Sequence, residues 1–572
     1  MLSVKQLIGS IIASYLGPFK SNKFVVDDKD VYMVKCPVSL LQKMNHKDHL
    51  SHLIEETLLA HHEQYGCSSV SLLAMWYLWN EEFCTTLEDC ETADIITHSQ
   101  NILEEVISQL PEITIQCKET FFKIKSEQKL PQSSHKYKNS FNMNSQSIVY
   151  PMKKSVILNM SSNTVPIGIR YSSRHFSPSQ SQLSEDEPKL LKDNTIQNIL
   201  NIETLEQSML SVVEKLSHGD FDCMNLICDI WIKQAKSTNC LKFNINGIII
   251  CPVTMHCSYS TVVDGLIIKS NQSHLYTQDL NIENCRALIV KGSITYEYVH
   301  LGYAENISVT IKKSAEQVQI STKELWIRKC CDLLSELEIN CLLVTGDVET
   351  DLESFCSANS ILLLPGISWT HLQDLCILVN EFPCTYLLDC DQENIISNLI
   401  VKKWSFDCNE SLSDTLYVHI DFNNVKGKNK LYTVILCHPN QFLLNSQEHQ
   451  FWHLASRLHL ATKNNNLLPG GGKTEKWCFD LLQKSPSENE IKDRIRAAIS
   501  KGFLSYSQMI CNKNMQEEIC NALDEMQSKV QAWKSAMALV LTVMQCDFLI
   551  LNGCENSSLK KMTLEKDWLG FL

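Results

Sequence analysis

Leu468-Pro469-Gly470-Gly471-Gly472-Lys473-Thr474-Glu475 places three consecutive glycines ahead of a largely helical C-terminal stretch. Gly472-Lys473-Thr474 has the ending of a phosphate-cradling P-loop. That loop needs a glycine five positions before the Gly-Lys pair, so that its backbone N–H groups can curl round the phosphates. The position is Leu467, and the match fails where the geometry is most demanding. Three adjacent glycines still need a cause, because glycine loses more chain entropy on ordering than any other residue. A turn approached closely by another backbone or by a ligand is one cause. A flexible tip after Asn464-Asn465-Asn466 is the other.

The chain has 572 residues, enough for several cores, with 44% hydrophobic and 20% charged residues, as in ordinary globular proteins. A net charge of -14 argues against nucleic acid or an anionic membrane as main partner. The 25 cysteines include no Cys-x-x-Cys pair, which disfavours common zinc and thioredoxin-type sites. Cys330 and Cys376 read as small core residues in a reducing compartment. No apolar run reaches the ~20 residues of a bilayer span; the best, Ala536 to Leu551, is broken by Gln545 and Asp547. Leu7 to Leu16 superficially matches a signal peptide. Val4, Leu7, Ile8, Ile11, Ile12, Tyr15 and Leu16 follow helical spacing instead. A buried amphipathic helix and a cytosolic chain are expected.

Gly17-Pro18 ends that helix. Strands are expected at Val25-Val26 and Val31 to Val34, and helices at Val38 to Met44 and Leu50 to Glu63. His46, His49 and His52 read as a solvated face. Gly66-Cys67-Ser68-Ser69 opens a long apolar helix through Trp79, with Ser69 as a plain N-cap or the turn as an anion site. From Gly265 the pattern alternates. Strands are expected at Ala287 to Val290, Cys341 to Val344, Ile361 to Leu364 and Thr385 to Leu388. Helices are expected at a Trp326–Leu337 stripe, Asp351 to Ala358 and Trp369 to Asn380. Such alternation builds an α/β layer. Val530, Trp533, Met537, Val540, Leu541 and Met544 form a last helical stripe. Residues 128–195, rich in Ser, Asn, Gln and Pro, read as an irregular or disordered insertion.

Taken together, these strings resemble the group II chaperonins, the subunits of the cytosolic folding ring. Ser14 to Asp28 is similar to that family's Thr-Leu-Gly-Pro-Lys-Gly stretch. Tyr65-Gly66-Cys67-Ser68-Ser69-Val70 falls where it has Asp-Gly-Thr-Thr-Ser-Val, and Lys35 to Leu41 where it has Asn-Asp-Gly-Ala-Thr-Ile-Leu. Leu468 to Glu475 looks like its Val-Pro-Gly-Gly-Gly-Ala-x-Glu turn. Ser173 to Phe176, Leu216 to Asp220, Leu16 to Ser21 and the ending Trp568 to Leu572 further resemble the Bardet-Biedl syndrome chaperonin-like branch. His218 and Asp220 read as a loop that caps a helix. The resemblance implies an α/β multidomain chaperonin fold. It would comprise a mainly helical equatorial domain (1–127 and 476–572), a connection (196–258), an α/β apical domain (259–395) and an intermediate return (396–475).

The resemblance also implies nucleotide-pocket remnants at Gly17, Pro18, Gly66, Gly470, Gly471 and Gly472. The family's metal-holding and water-activating aspartates fall at Cys36, Tyr65 and the Trp452-His453-Leu454-Ala455 segment. With those acids gone, no catalytic residue, metal or cofactor is expected, ATP with Mg²⁺ included; His453 is a weak candidate base. The implied role is an assembly chaperone for the BBSome in ciliogenesis. It would act with other Bardet-Biedl chaperonin-like proteins and cytosolic ring subunits, in the cytoplasm near the centrosome, basal body and cilium. An active ATP-hydrolysing ring subunit, a P-loop kinase and a passive scaffold are the alternatives.

Overall fold

The computed structural model describes residues 4–17, 20–26, 31–44, 49–87, 90–117, 202–238, 240–270, 281–298, 322–379, 381–406, 416–422, 430–484, 489–511 and 521–546. The expected insertion 128–195, Pro18, His46 and the last residues Trp568 to Leu572 lie outside them. The chain forms two compact units, Met1–Cys228 with His449–Leu572 and Asp229–Glu448. The first unit therefore resumes at His449, ahead of the expected residue 476.

In the first unit, α1 (Val4–Ile11) runs into a 3-10 turn and buries Ile8 and Ile12, as the spacing predicts. Strands β1 (Lys23–Val26) and β2 (Val31–Val34) pair antiparallel. Helix α2 (Pro37–Lys43) starts with proline, whose missing N–H costs nothing in a first turn. Helices α3 (His49–Tyr65), α4 (Ser69–Thr86) and α5 (Thr92–Gln109) follow, then the short β3 (Ile115–Gln116). Helix α6 covers Ile202–Ser217, and α7 (Met224–Thr238) carries the chain out of this unit.

The second unit holds two sheets. One is β4 (Ile248–Val253), β5 (Thr261–Asp264) and β12 (Tyr432–Cys437), ordered β4-β12-β5. The other has order β6-β11-β10-β7-β8-β9. It is built from β6 (Leu266–Ser270), β7 (Asn281–Val290), β8 (Cys341–Val344), β9 (Leu362–Leu364), β10 (Ile395–Trp404) and β11 (Leu416–Asp421). β7, β8 and β9 run parallel, and their side chains alternate between two cores. Leu288, Leu342 and Leu363 face helices α8 (Thr322–Glu336) and α9 (Thr350–Ala358). Ala287, Leu343 and Leu364 face α10 (Trp369–Val379). A sheet covered on both faces needs such continuous apolar strands. The expected boundary at 395 falls at the start of β10, whose pairing with β7 and β11 carries the sheet on to Asp421.

Two expectations in this unit change. Thr385 to Leu388 is not a strand. Pairing is confined to a bridge between Val290 and Cys384, and Leu387–Asp389 closes into a 3-10 turn. That turn brings the Cα atoms of Cys384 and Cys390 to 6.0 Å, and the two are joined as a disulfide. Not every cysteine is thus a free core thiol. Cys330 and Cys376 are, with burial pushing their thiols up to about 12 and about 11.

Helix α11 (Gln441–Asn464) returns the chain to the first unit. β13 (Asn466–Pro469), α12 (Lys473–Gln483), α13 (Glu490–Cys511), β14 (Leu523–Glu525) and α14 (Met526–Met544) complete it. The small sheet is ordered β14-β13-β3. The main core packs α3, α4, α5, α12, α13 and α14 around Trp76, Trp79, Phe503 and Trp533.

The glycine triplet is an ordered turn, and each glycine has its own reason. A Cβ on Gly470 would stand 2.9 Å from the backbone of Ala522, whose carbonyl accepts the Gly470 N–H at 2.7 Å. Gly471 and Gly472 take positive φ, 66° and 82°. The close approach is by another backbone, one of the two causes weighed from the sequence. Gly470→Ala is expected to lose about 1–3 kcal/mol by forcing β13 from Ala522, read as a lower urea midpoint. A variant as stable as the parent would show that the two segments separate freely.

Candidate functional site

Directly after the turn, Thr474 Oγ1 donates to Pro469 O at 2.7 Å and Glu475 is fully buried. Lys529 Nζ, from α14, lies 2.7 Å from Glu475 Oε1 and also pairs with Asp524. Asp524 reaches His218 Nε2 at 3.1 Å, and the same ring nitrogen contacts Leu523 O at 2.7 Å. Burial pushes the Glu475 carboxyl up, against the pull of Lys529. Burial acts the same way on Asp524, but Lys529 and His218 overcome it and hold that carboxyl far below its usual range. β14 places these groups, since Leu468 pairs with Asp524 and Leu467 with Glu525. Glu525 caps α14, accepting the Ser528 N–H at 2.6 Å and the Gln527 N–H at 3.1 Å.

Gly17 and Gly66 both take positive φ, 77° and 66°, so each ends its helix in a left-handed turn. Ser68, not Ser69, stands at the N-cap of α4, with φ 65° and no side-chain cap. Its hydroxyl meets Ser528 Oγ at 3.0 Å, which ties the Gly66 turn to the Glu525 cap. The expected Ser69 cap is therefore absent; its Oγ is buried without a hydrogen-bond partner. Tyr65 is buried, its ring 5.1 Å from that of His61.

Beyond Gly17, Lys20 Nζ lies 2.6 Å from Asp220 Oδ2, and Lys35 Nζ lies 3.6 Å from Asp220 Oδ1. Asp220 begins a 3-10 turn but makes no capping hydrogen bond, which corrects the expectation of a helix-capping loop. The backbone reason is the pair His218 and Gly219, both at positive φ, 53° and 87°. Burial pushes the Asp220 carboxyl up, but Lys20, Arg457 and Lys35 together hold it below its usual range. Arg457 Nη1 donates to Leu216 O at 3.1 Å.

On α11, the His453 ring is 5.3 Å from that of His62. Burial drives its pKa well below the usual value, helped by His62, Arg457, Lys20 and His449. So depressed an imidazole is a poor proton acceptor. Cys36, at the start of α2, is a buried thiol that burial keeps protonated.

A hard cation such as Mg²⁺ needs carboxylate or carbonyl oxygens. The side chains of Cys36, Tyr65 and His453 carry neither, and Asp220 is already shared between two ammonium groups. Among the described residues, no group of three His, Cys, Asp or Glu could hold a metal ion. The donor set does not fit Mg²⁺. It does fit an anion.

The buried imidazoles make the unit acid-sensitive. Burial lowers His61 and His62 to about 4. The unfolded chain takes up those protons first, so stability is level above about pH 6.5 and falls toward pH 4 by about 1.4 kcal/mol per pH unit per group. His61→Gln keeps a donor toward Cys67 O, which His61 Nε2 contacts at 3.1 Å. Its urea midpoint is expected to fall less steeply than the parent's between pH 6.5 and 4.5; parallel slopes would refute the assignment.

Comparison with known proteins supplies the lineage. The TCP-1/cpn60 chaperonin family matches residues 190–529. The chain belongs to that family. Among curated chaperonin relatives, the human "Chaperonin-containing T-complex member BBS12" is 22% identical over 546 residues, covering 82% of this chain and 74% of its own. The Xenopus laevis protein of the same name is 22% identical, covering 98% and 97%. A group III chaperonin crystallised in the open state superposes with a TM-score of 0.59 at 12% identity, over 96% of this chain and 97% of its own. The chaperonin fold expected from the sequence is thus found, and the branch resemblance agrees with the named relatives.

Of the expected chaperonin pocket residues, Gly17, Gly66 and Gly470 to Gly472 are all turn formers in the first unit. Pro18 falls outside the described residues. Sequence reading missed the charges. Lys20, Lys35 and Asp220 share no periodicity or spacing that would mark them as neighbours. One signal was available for Lys529: it interrupts the buried stripe of α14 beside Val530 and Trp533.

Proposed function

We propose that this chain is a chaperonin-like assembly chaperone that does not hydrolyse ATP. It helps build the BBSome, with other Bardet-Biedl chaperonin-like proteins and cytosolic chaperonin subunits, during ciliogenesis. What supports this reading is that Cys36, Tyr65 and the Trp452-His453-Leu454-Ala455 segment stand where the family resemblance places carboxylates. Phosphoryl transfer rests on positioning together with charge stabilisation by a metal and a base, and the loss of those carboxylates removes the groups that would hold the metal and activate the water. The relatives' name, a member of the chaperonin-containing T-complex, supports the ring-subunit partnership. In this reading the first unit is equatorial, and the α/β unit supplies the apical and intermediate parts that hold client. No helix among the described residues is long and apolar enough to cross a membrane. The place of action proposed is the cytoplasm around the centrosome, basal body and cilium.

Two measurements test it together. Affinity recovery of the tagged chain from ciliated cells is expected to bring down ring subunits and BBSome components. The purified chain is expected to release no phosphate from ATP in Mg²⁺. Recovery of neither partner class removes the assembly role; sustained turnover removes the loss of hydrolysis and restores the folding-ring reading.

A further inference from the structure

The charges around Asp220 do not balance. Lys20 stands 2.6 Å and Lys35 3.6 Å from one carboxylate, and the guanidinium of Arg457 acts on both Lys20 and Asp220. The side chain of Asp220 is 4% exposed, and its Oδ1 is buried with no hydrogen-bond partner. Lys20 and Arg457 repel each other, and each lowers the proton affinity of His453. One buried anion thus pairs with two ammonium groups and lies in the field of a guanidinium, the opposite of a metal site. The group with this demand for positive charge in a small space is a phosphoryl group, bound through ammonium and guanidinium donors.

The loop that delivers the carboxylate is itself unusual. His218 and Gly219 both sit at positive φ, and His218 is anchored by Leu523 O and Asp524. Positive φ at a histidine is uncommon and needs support from its surroundings. Here that support comes from β14, next to the glycine turn, and the effect is to hold Asp220 against Lys20.

We infer that the Lys20–Lys35–Arg457 cluster is a metal-independent phosphoryl-anion site whose resident occupant is the Asp220 carboxylate of this same chain. A nucleotide or free phosphate reaches the cluster only by displacing Asp220. The site is therefore closed by a built-in substitute for the anion. The inference rests on the reading of the pocket as a former nucleotide site and specifies what now fills it.

The test uses the full-length protein in EDTA. Thermal shift and equilibrium binding are measured with inorganic phosphate, pyrophosphate and ATP, against chloride at equal ionic strength. The parent is expected to bind each of them weakly. Asp220→Asn keeps the shape and removes the charge, and is expected to bind pyrophosphate at least tenfold more tightly. Adding Lys20→Met is expected to cancel that gain. Equal affinity for pyrophosphate and ATP assigns recognition to the phosphoryl group; a gain for ATP alone, or no gain, overturns the inference. If Asp220→Asn does not fold in plain buffer, it is refolded with and without pyrophosphate. Anion-dependent recovery supports the site, and equal failure in both overturns it. Magnesium-dependent turnover by the parent would defeat the proposed function whatever Asp220 does; a silent parent with an unresponsive variant defeats only the present inference.

Discussion

Replacing Lys529 with methionine is expected to lower the unfolding free energy by about 3–5 kcal/mol, because it strands buried carboxylates without their counter-charge. Lys529 is 3% exposed, and it neutralises Glu475, at 0%, and Asp524, at 19%. Methionine matches the stem's volume, so packing is nearly constant and the loss is electrostatic. A triple variant adding Glu475→Gln and Asp524→Asn is expected to regain most of the stability, since a whole buried ion set can often be replaced at little net cost. The acid limb supplies an independent check. With Lys529 and His218 in place, the folded Asp524 carboxyl titrates below its unfolded value. Its contribution is therefore present above about pH 4 and is lost as the pH falls further. Urea midpoints at pH 7 for parent, single and triple variants settle the matter. A single variant within about 1 kcal/mol of the parent would mean that water reaches the carboxylates.

Trp79→Ala is expected to cost about 3–5 kcal/mol through the cavity it leaves. Trp79 is fully buried, meets Phe503 edge-on at 5.4 Å, and donates Nε1–H to Ile499 O at 3.2 Å. Phe503 in turn meets Trp533 at 5.0 Å, so the cavity opens at the centre of the helical core. α13 approaches α4 this closely because position 502 is glycine. A Cβ there would fall 2.3 Å from Trp79 Cδ1. Gly502→Ala is thus the opposite defect, overpacking, and is expected to cost about 1–3 kcal/mol. In the double variant the new methyl enters the space vacated by the indole, so its loss is expected to be smaller than the sum of the two single losses. Strict additivity would mean that the two positions do not share one space.

Most of the helical unit was legible in the sequence because its signal is local. The stripe from Val530 to Met544 repeats on a helical period and lies within Met526–Met544, while the apolar run from Ser69 to Trp79 forms the first part of a helix that continues to Thr86. The glycine triplet was legible as a turn needing a close neighbour, but Ala522 could not be named, since register between β13 and β14 is a long-range property. Thr385 to Leu388 misled because a short, largely apolar run is indistinguishable from a strand until its pairing is known. The charge cluster was invisible for a related reason. Lys20 and Asp220 are joined by no periodicity or spacing, and their pairing follows from the left-handed turn at His218 and Gly219.

Because Asp229–Glu448 is contiguous while its companion is assembled from two separated stretches, the halves of this protein become foldable at different moments of synthesis. The α/β body has all its strands once β12 has left the ribosome. The helical body cannot close β3 onto β13, or bury Trp79 against Phe503, until residues that follow the whole α/β body emerge. During that wait its apolar helices stand exposed, the condition in which nascent chains aggregate or recruit helpers. By the order of its own segments, this chaperonin-family chain is a demanding passenger of the folding machinery.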